Sequence, residues 1–488
     1  MDPQDFQNMQ FGGGLSQTVV NPIALLIVLV AGVIILISPR RRATAAFLAG
    51  TILMPSNQVI LLGPLHFPMM RVLIIFGVIR MFRDRTKPGF AVLSGGMNWI
   101  DKALIILTIA TMVDGILLWR QSGEVIYQLG NAYNSFGVYF LLRFFIRDMD
   151  DIKHTLRAFA YIAGVAAAGM IVEQATGRNL FYIVLGGAKA SQYEAVISRD
   201  DHLRAAAAFG HPILAGTFGG ILLPMFIGLW IKEKKERKYA ALGVGASTVM
   251  AFAAGSSTAL SGFLGGLLAL CFWPIRRSMR AVRWAIAIAL VSLHIVMKAP
   301  VWHLVSRIDL TGSSSGYHRY MLIDQCIRHF GEWALVGTKD FGTWGWDMWD
   351  LSNQYVAAAD TTGLIPLLSL LAIIVLGFKY VGRARRAYPG DRKQQMFIWA
   401  VGSSLFANVV AFFGISYFDQ TIVAWYALLA IITAIAVSAR QQRRSALEKS
   451  KSAMLAENLD RDLEPMHTLP LANGSGLDRF SGQVPENL

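Results

Sequence analysis

The chain has 488 residues, 54% hydrophobic and 16% charged, with a formal net charge of +14 and a mean hydropathy of +0.46. That composition lies far from a soluble globular average and excludes a protein whose main solvent is water. It fits a polytopic membrane protein, in which each lipid-crossing segment is helical because its backbone polar groups need internal partners.

Apolar windows recur in chain order at about 19–38, 43–56, 66–82, 99–119, 132–147, 155–173, 210–231, 240–254, 258–274, 282–298, 356–380, 396–414 and 420–438. They predict an all-α polytopic bundle of about 12 transmembrane helices, between 11 and 13, because Pro55 interrupts the second window and only GSST separates the eighth from the ninth. Lysines and arginines fall in alternate connections: 40–42, 80–87, 143–157, the KEKKERK run at 232–238, 276–283, 379–393 and the tail from Arg440. By the positive-inside rule these face the cytoplasm. They hold most of the 45 basic residues, so the positive charge is a topology signal and calls for no nucleic-acid partner.

The opposite connections then face outward, and two of them are long, 174–209 and 299–355. No basic n-region precedes the first window and no small-residue cleavage site follows it, which predicts an uncleaved membrane segment. The bundle is read as residues 1–438 and the remainder, 439–488, as a cytoplasmic tail expected to be disordered, above all from about 451, where it is polar with Gly, Pro and Asn. Cys271 and Cys326 fall on opposite sides and cannot bridge, and no His/Cys spacing, P-loop or dinucleotide fingerprint occurs; neither a metal nor a cofactor is expected.

The first long outer segment closes with SRDDHLRAAAAFGHPILAGTFGG, where Arg199, Asp200, Asp201, His202 and Arg204 gather ahead of a Gly-rich span. Such charges are interfacial anchors or ligands for a charged headgroup. Arg204 abuts the apolar AAAAF run, where a guanidinium seeks an anionic partner at shallow depth. The second loop carries SSSGYHRYMLIDQCIRHF, in which Tyr320, Ile323, Ile327 and Phe330 recur at helical spacing. This predicts an amphipathic helix lying with those residues on the bundle, ended by Gly331. Beyond it, Trp333, Trp344, Trp346 and Trp349 alternate with Asp340, Asp347 and Asp350. The rings fit either an interfacial aromatic belt or a carbohydrate platform with carboxylates beside it.

Four stretches in this order, RAAAAFGHPILAG, FAAGSSTALSG, YHRYMLIDQCIRHFGEWALVGTKDFG and SNQYVAAADTTGLIPLLSLL, are similar to the O-antigen ligase and O-antigen polymerase family of bacterial envelope glycosyltransferases. The resemblance covers most of residues 20–438 and implies a reaction on the periplasmic face of an inner membrane. A glycan passes from an undecaprenyl-diphosphate carrier to an acceptor hydroxyl, with membrane lipids and other polysaccharide export and assembly proteins as further partners. Arg204 and Arg319 match the family's arginine positions and are expected to bind the diphosphate, a task suited to bidentate guanidinium contacts. The family's His-Asn pair is here Ser352 and Asn353, and its Ser-Arg turn is here Ser256 and Ser257 before Thr258. The missing histidine favours a polymerase of surface or exopolysaccharide repeat units over a ligase acting on lipid A core. His318 is then the first candidate base, followed by Asp347 or Asp350, with Trp344, Trp346 and Asn353 as substrate contacts. A transporter or flippase is the reading from another class, but internal repeats and mid-membrane ionisable pairs, its usual marks, are not evident.

Overall fold

The computed structural model describes residues 18–56, 58–63, 65–87, 90–186, 198–199, 202–307 and 315–463. Helices make up nearly all the regular structure, and a helix covers much of every apolar window. They are α1 (Pro22–Ile37), α2 (Arg40–Ile52), α3 (Met69–Asp84), α4 (Trp99–Trp119), α5 (Ser122–Phe145), α6 (Met149–Thr176), α7 (Leu180–Leu185), α8 (Pro212–Lys232), α9 (Arg237–Ala253), α10 (Ser257–Cys271), α11 (Met279–Val296), α12 (Ser315–Arg328), α13 (Phe330–Trp333), α14 (Gln354–Thr362), α15 (Leu364–Arg385), α16 (Arg392–Ala411) and α17 (Asp419–Leu463). Among the described residues six helices, α4, α6, α8, α11, α15 and α17, are long and apolar enough to cross a membrane, and α1 and α10 are shorter apolar helices. The window at 356–380 is two helices, because Gly363 between them has φ +91° and no side chain would fit there.

Local chemistry sets the helix starts. Asn21 caps α1 ahead of Pro22, Asn98 and Asp101 form a capping box on α4, and Asp148 caps α6. Asp101 also ties α4 to α5, accepting from Arg143 Nε at 3.1 Å and Tyr139 Oη at 2.6 Å, with both members of the ion pair fully buried. Arg143 Nη2 also reaches the carbonyls of Ser94 and Gly96, both at 3.4 Å, so further bonds help to offset the cost of burying the pair. Helix α8 is the most enclosed, packed by α6, α9, α10 and α16. A Cβ at Gly219 would press on Met250 and one at Gly220 on Phe263, so the small residues let α9 and α10 approach closely. Helix α11, by contrast, buries none of its residues.

The basic connections share one end of the bundle. Arg40 pairs with Asp151 at 2.6 Å, Lys153 with Glu233 at 2.8 Å, and Arg157 with Glu236. At the other end Ser56, Gly210 and Asp419 meet, beside a small antiparallel hairpin, Val59–Leu62 with Leu65–Pro68.

Two compact units divide the chain, 1–440 and 441–488. The stretch from Arg440 to Leu463 is helical, contrary to the expectation of an irregular tail. Its Ala, Leu, Glu, Lys and Arg residues are strong helix formers, so the segment needs no packing partner to favour the helix. Residues 464–488 lie outside the described residues.

Candidate active site at the α9–α10 turn

Arg204 stands on an irregular segment, 204–211, that enters α8. Ala207 in it has φ +51°, a conformation an alanine adopts only where its surroundings impose it. Those surroundings are polar side chains from elsewhere in the chain. Glu173 Oε2, near the end of α6, accepts from the backbone N–H of Ala206 at 3.0 Å and of Ala207 at 2.8 Å. Asn179 Nδ2 donates to the Ala207 carbonyl at 2.8 Å and to Glu173 Oε1 at 3.1 Å. Gln420 Nε2 reaches the Ala208 carbonyl at 2.7 Å. Held this way, the Arg204 side chain lies against Gly255 and its Nε donates to the Ala254 carbonyl at 3.0 Å.

Arg319 arrives at the same turn from the large outer loop. Its Nη2 donates to Thr258 Oγ1 at 2.8 Å, and that hydroxyl in turn donates to the Gly414 carbonyl at 3.1 Å. Two arginines from segments far apart in sequence therefore meet the α9–α10 turn four residues apart, and both are largely buried. The helix that brings Arg319 runs Ser315–Arg328, so Gly331 does not end it but sits in the next short helix, α13. Its buried face is Arg319, Leu322 and Cys326, with Asp324 also buried, while the expected contact residues Ile327 and Phe330 are exposed. The reason is polar pairing. Arg319 has Thr258, and Asp324 accepts from Trp302 Nε1 at 3.0 Å and Arg328 Nε at 2.7 Å, which offsets the cost of their burial.

Beside Arg319, His318, Asp347 and Asp350 bring one ligand-type atom each within 4.8 Å of one another. His318 Nε2 lies 3.2 Å from the Asp347 carbonyl oxygen, an acceptor only, so Nε2 carries the hydrogen and Nδ1 is the basic nitrogen. Asp347 has φ +58°, which turns the loop so that its carbonyl meets the imidazole. Loss of surrounding water raises the Asp350 carboxyl above its ordinary range against the pull of His318, with Asp347 adding to the rise and Arg319 opposing it. This trio has the donor set of an oxygen-preferring divalent cation site as well as of a base and its orienting carboxylates. His211, at the start of α8, is pushed down to about 4 by burial and by Arg204, and its Nδ1 caps the helix by accepting from Ile213 N–H at 3.1 Å.

The remaining predicted contacts divide. Trp344 stacks on His329 at 4.5 Å and donates to Glu332 Oε2 at 3.1 Å, so one of its faces is occupied. Trp346 is 86% exposed and offers an open ring. Asn353 is fully buried as the N-cap of α14, accepting from Tyr355 and Val356 N–H, which gives it a structural place and keeps it off any surface a substrate reaches. Trp302 and Trp333 are structural as well, and Trp349 lies over Gly342. Asp200 and Asp201 lie outside the described residues, and Arg199 and His202 pair in a two-residue hairpin.

The two segments LVGTKDFG and TTGLIPLL, separated by residues 343–360, meet backbone to backbone. Thr338 N–H donates to the Asp360 carbonyl at 2.7 Å and Leu364 N–H to the Ala334 carbonyl at 3.0 Å. Gly337 and Gly363 both have positive φ, and a Cβ on either would strike the other segment's backbone. Next to this junction Asp360 is buried, and burial raises its carboxyl to about 7, partly offset by the Cys326 thiol hydrogen bond and by His329. Glu173, Thr258 and Gln420 build the site through partners distant in sequence, which only the fold brings to them. No family model matches the chain, and no curated protein matches it.

Proposed function

We propose that the protein is a glycosyltransferase of the bacterial inner membrane that polymerises undecaprenyl-diphosphate-linked oligosaccharide repeat units on the periplasmic face. The reading includes about 12 spans, the basic end of the bundle in the cytoplasm and the α9–α10 turn outside. The observation that carries it is the meeting of Arg204 and Arg319 at one turn, beside His318 and Asp350. Two cations that cannot lose their charge suit a diphosphate leaving group, whose negative charge grows as the glycosidic bond breaks. Similarity of the four motif stretches to the O-antigen ligase and polymerase family supports the same reaction.

In the proposed step an acceptor sugar hydroxyl attacks the anomeric carbon of the donor. A new C–O bond forms as the bond from that carbon to the diphosphate oxygen breaks. His318 Nδ1 takes the hydroxyl proton, and undecaprenyl diphosphate leaves against Arg204 and Arg319. Trp346 offers its exposed face to the glycan. The donor is already activated, so the energy of transfer comes from the diphosphate linkage.

The test is the surface glycan and lipid-linked pool of a strain lacking the protein, complemented with wild type, Arg204→Ala or Arg319→Ala at matched protein levels. Single repeat units in the null and in both variants are expected. Full-length glycan stranded on undecaprenyl diphosphate makes the protein a ligase, and wild-type glycan from both variants would rule out an enzyme built on these arginines.

A further inference from the structure

At the basic end of the bundle, opposite the α9–α10 turn, α1, α2, α3 and the α5–α6 connection enclose a cavity of about 450 Å³. Five cationic side chains, Arg40, Arg80, Arg83, Lys87 and Arg147, line it with a single carboxylate, Asp84. Asp84 is shared among three of them, at 3.3 Å from Arg80, 3.0 Å from Arg83 and 2.7 Å from Lys87. Asp148 and Asp151 hold Arg40 from the side, and counting them the cations still outnumber the carboxylates. The like charges are kept together by the chain itself. Arg80 Nη1 donates to the carbonyls of Ile35 and Ser38, both at 2.6 Å, Arg83 Nη1 to that of Leu36, and Arg147 Nε to that of Phe144 at 2.9 Å. Burial lowers Arg147 from its usual range, and the Arg40 charge adds to this.

A second observation points the same way. Helix α2 begins at the cavity, where Pro39 and Arg40 form part of the wall, and no side chain caps its first turn. Its N–H groups and the positive end of its dipole thus add to the guanidinium charge at a place made for an oxyanion.

We propose that this cavity binds a phosphate group, with an anionic phospholipid headgroup as its natural source. Two features favour the lipid. Ile37, Phe90 and Phe144 give the cavity an apolar wall beside its charged one. From its rim an uncovered apolar track runs along two packed helices, Val30, Val33 and Ile37 on α1 and Ile75, Ile79 and Phe82 on α3, all exposed. Those residues recur at three- and four-residue spacing, so each helix presents one continuous strip on which an acyl chain can lie while the headgroup sits among the arginines. The site is separate from the proposed transfer reaction and does not depend on it.

The experiment uses the full-length protein in neutral detergent, with native mass spectrometry and thermal unfolding in the presence of phosphatidylglycerol, phosphatidylcholine or inorganic pyrophosphate. Arg83→Gln with Lys87→Gln is the variant, since both side chains are substantially exposed and their removal spares the core. Phosphatidylglycerol is expected to bind saturably and to raise the melting temperature where phosphatidylcholine does not. The double variant, melting normally without ligand, is expected to bind it roughly 30-fold more weakly. Pyrophosphate protection that competes with the lipid and disappears in the variant also supports the phosphate site, and assigns it a soluble ligand if the lipid shows no selectivity. Equal binding of both lipids with no pyrophosphate effect, or a variant that keeps full selectivity, overturns the proposal.

Discussion

Replacing Glu173 with Gln tests whether the segment that carries Arg204 is built for that arginine. The side chain keeps its length and shape, so packing around it is unchanged. What alters is the hydrogen bonding. Ala206 and Ala207 N–H now meet a neutral acceptor in place of a charged one, which weakens each bond by about 1 kcal/mol. The amide nitrogen of the glutamine would face Asn179 Nδ2, also a donor, and Asn179 cannot turn over because its Oδ1 caps α7 through Phe181 and Tyr182 N–H. One donor is left without an acceptor, at about 1 to 2 kcal/mol, and the total is about 3 to 4 kcal/mol. That is enough for the segment to relax from the left-handed turn at Ala207 and carry Arg204 away from Ala254. A displacement of about 1 Å at a charged contact costs on the order of 100-fold in rate. The assay is glycan output per unit of membrane-inserted protein in a complemented null strain, with the melting temperature of the purified protein beside it. A lower melting temperature with wild-type output would show that Glu173 only stabilises, and would refute the positioning role. No change in either would refute the hydrogen-bond reasoning itself.

Four further outcomes follow from the same geometry. Arg319→Lys keeps the charge but loses the planar fork that could hold Thr258 and the proposed phosphate at once, so transfer should fall on the order of 10- to 100-fold with little change in melting temperature; unchanged transfer would leave Arg319 only a point charge. Asn353→Ala removes the α14 cap and should cost about 1 kcal/mol of stability while glycan chain length stays normal, and a shortened glycan would return Asn353 to the substrate site. Asp360 keeps its proton in the folded protein up to about 7 while the unfolded carboxyl ionises near its ordinary value, so its contribution to stability falls by about 3 kcal/mol as pH rises from about 4 to 7. Asp360→Asn should flatten that part of the melting-temperature profile, and an identical slope in the variant would remove Asp360 as its cause. If Arg204 and Arg319 neutralise the leaving group as proposed, dialysis against a chelator should leave the transfer rate unchanged; a loss restored by calcium or manganese would move that role to an ion on His318, Asp347 and Asp350.

The helices were legible in the sequence because apolar composition over a bilayer's width has one structural solution, and each window does contain helix. The resemblance singles out Arg204 and Arg319, and the fold brings both to the α9–α10 turn. Where the reading of α12 failed, periodicity treated Ile327 and Phe330 as the buried face and Arg319 and Asp324 as the wet one, since apolar residues are inside more often than charged ones. The outcome reverses because Thr258 and Trp302, from other parts of the chain, supply partners that make burying Arg319 and Asp324 cheaper than leaving those contacts unmade. Glu173 was hidden for the same reason. It looks like an acid at a helix end, and its function as the clamp of 204–208 exists only once α6 and the start of α8 lie side by side. A residue whose polar partner is more than a turn away cannot be placed by local pattern, and a site assembled from Glu173, Arg204, Thr258, Arg319 and Gln420 consists of little else. The cavity at the basic end is the complementary case. As a run of basic residues its arginines carry a topology signal, and nothing in the sequence shows that Arg80 and Arg147 turn inward to backbone carbonyls while ordinary juxtamembrane cations reach for water. Arg143 is matched by Asp101 within the bundle, whereas around this cavity cations outnumber carboxylates, and it is that excess beside an apolar track which the proposed phosphate with its acyl chain would meet.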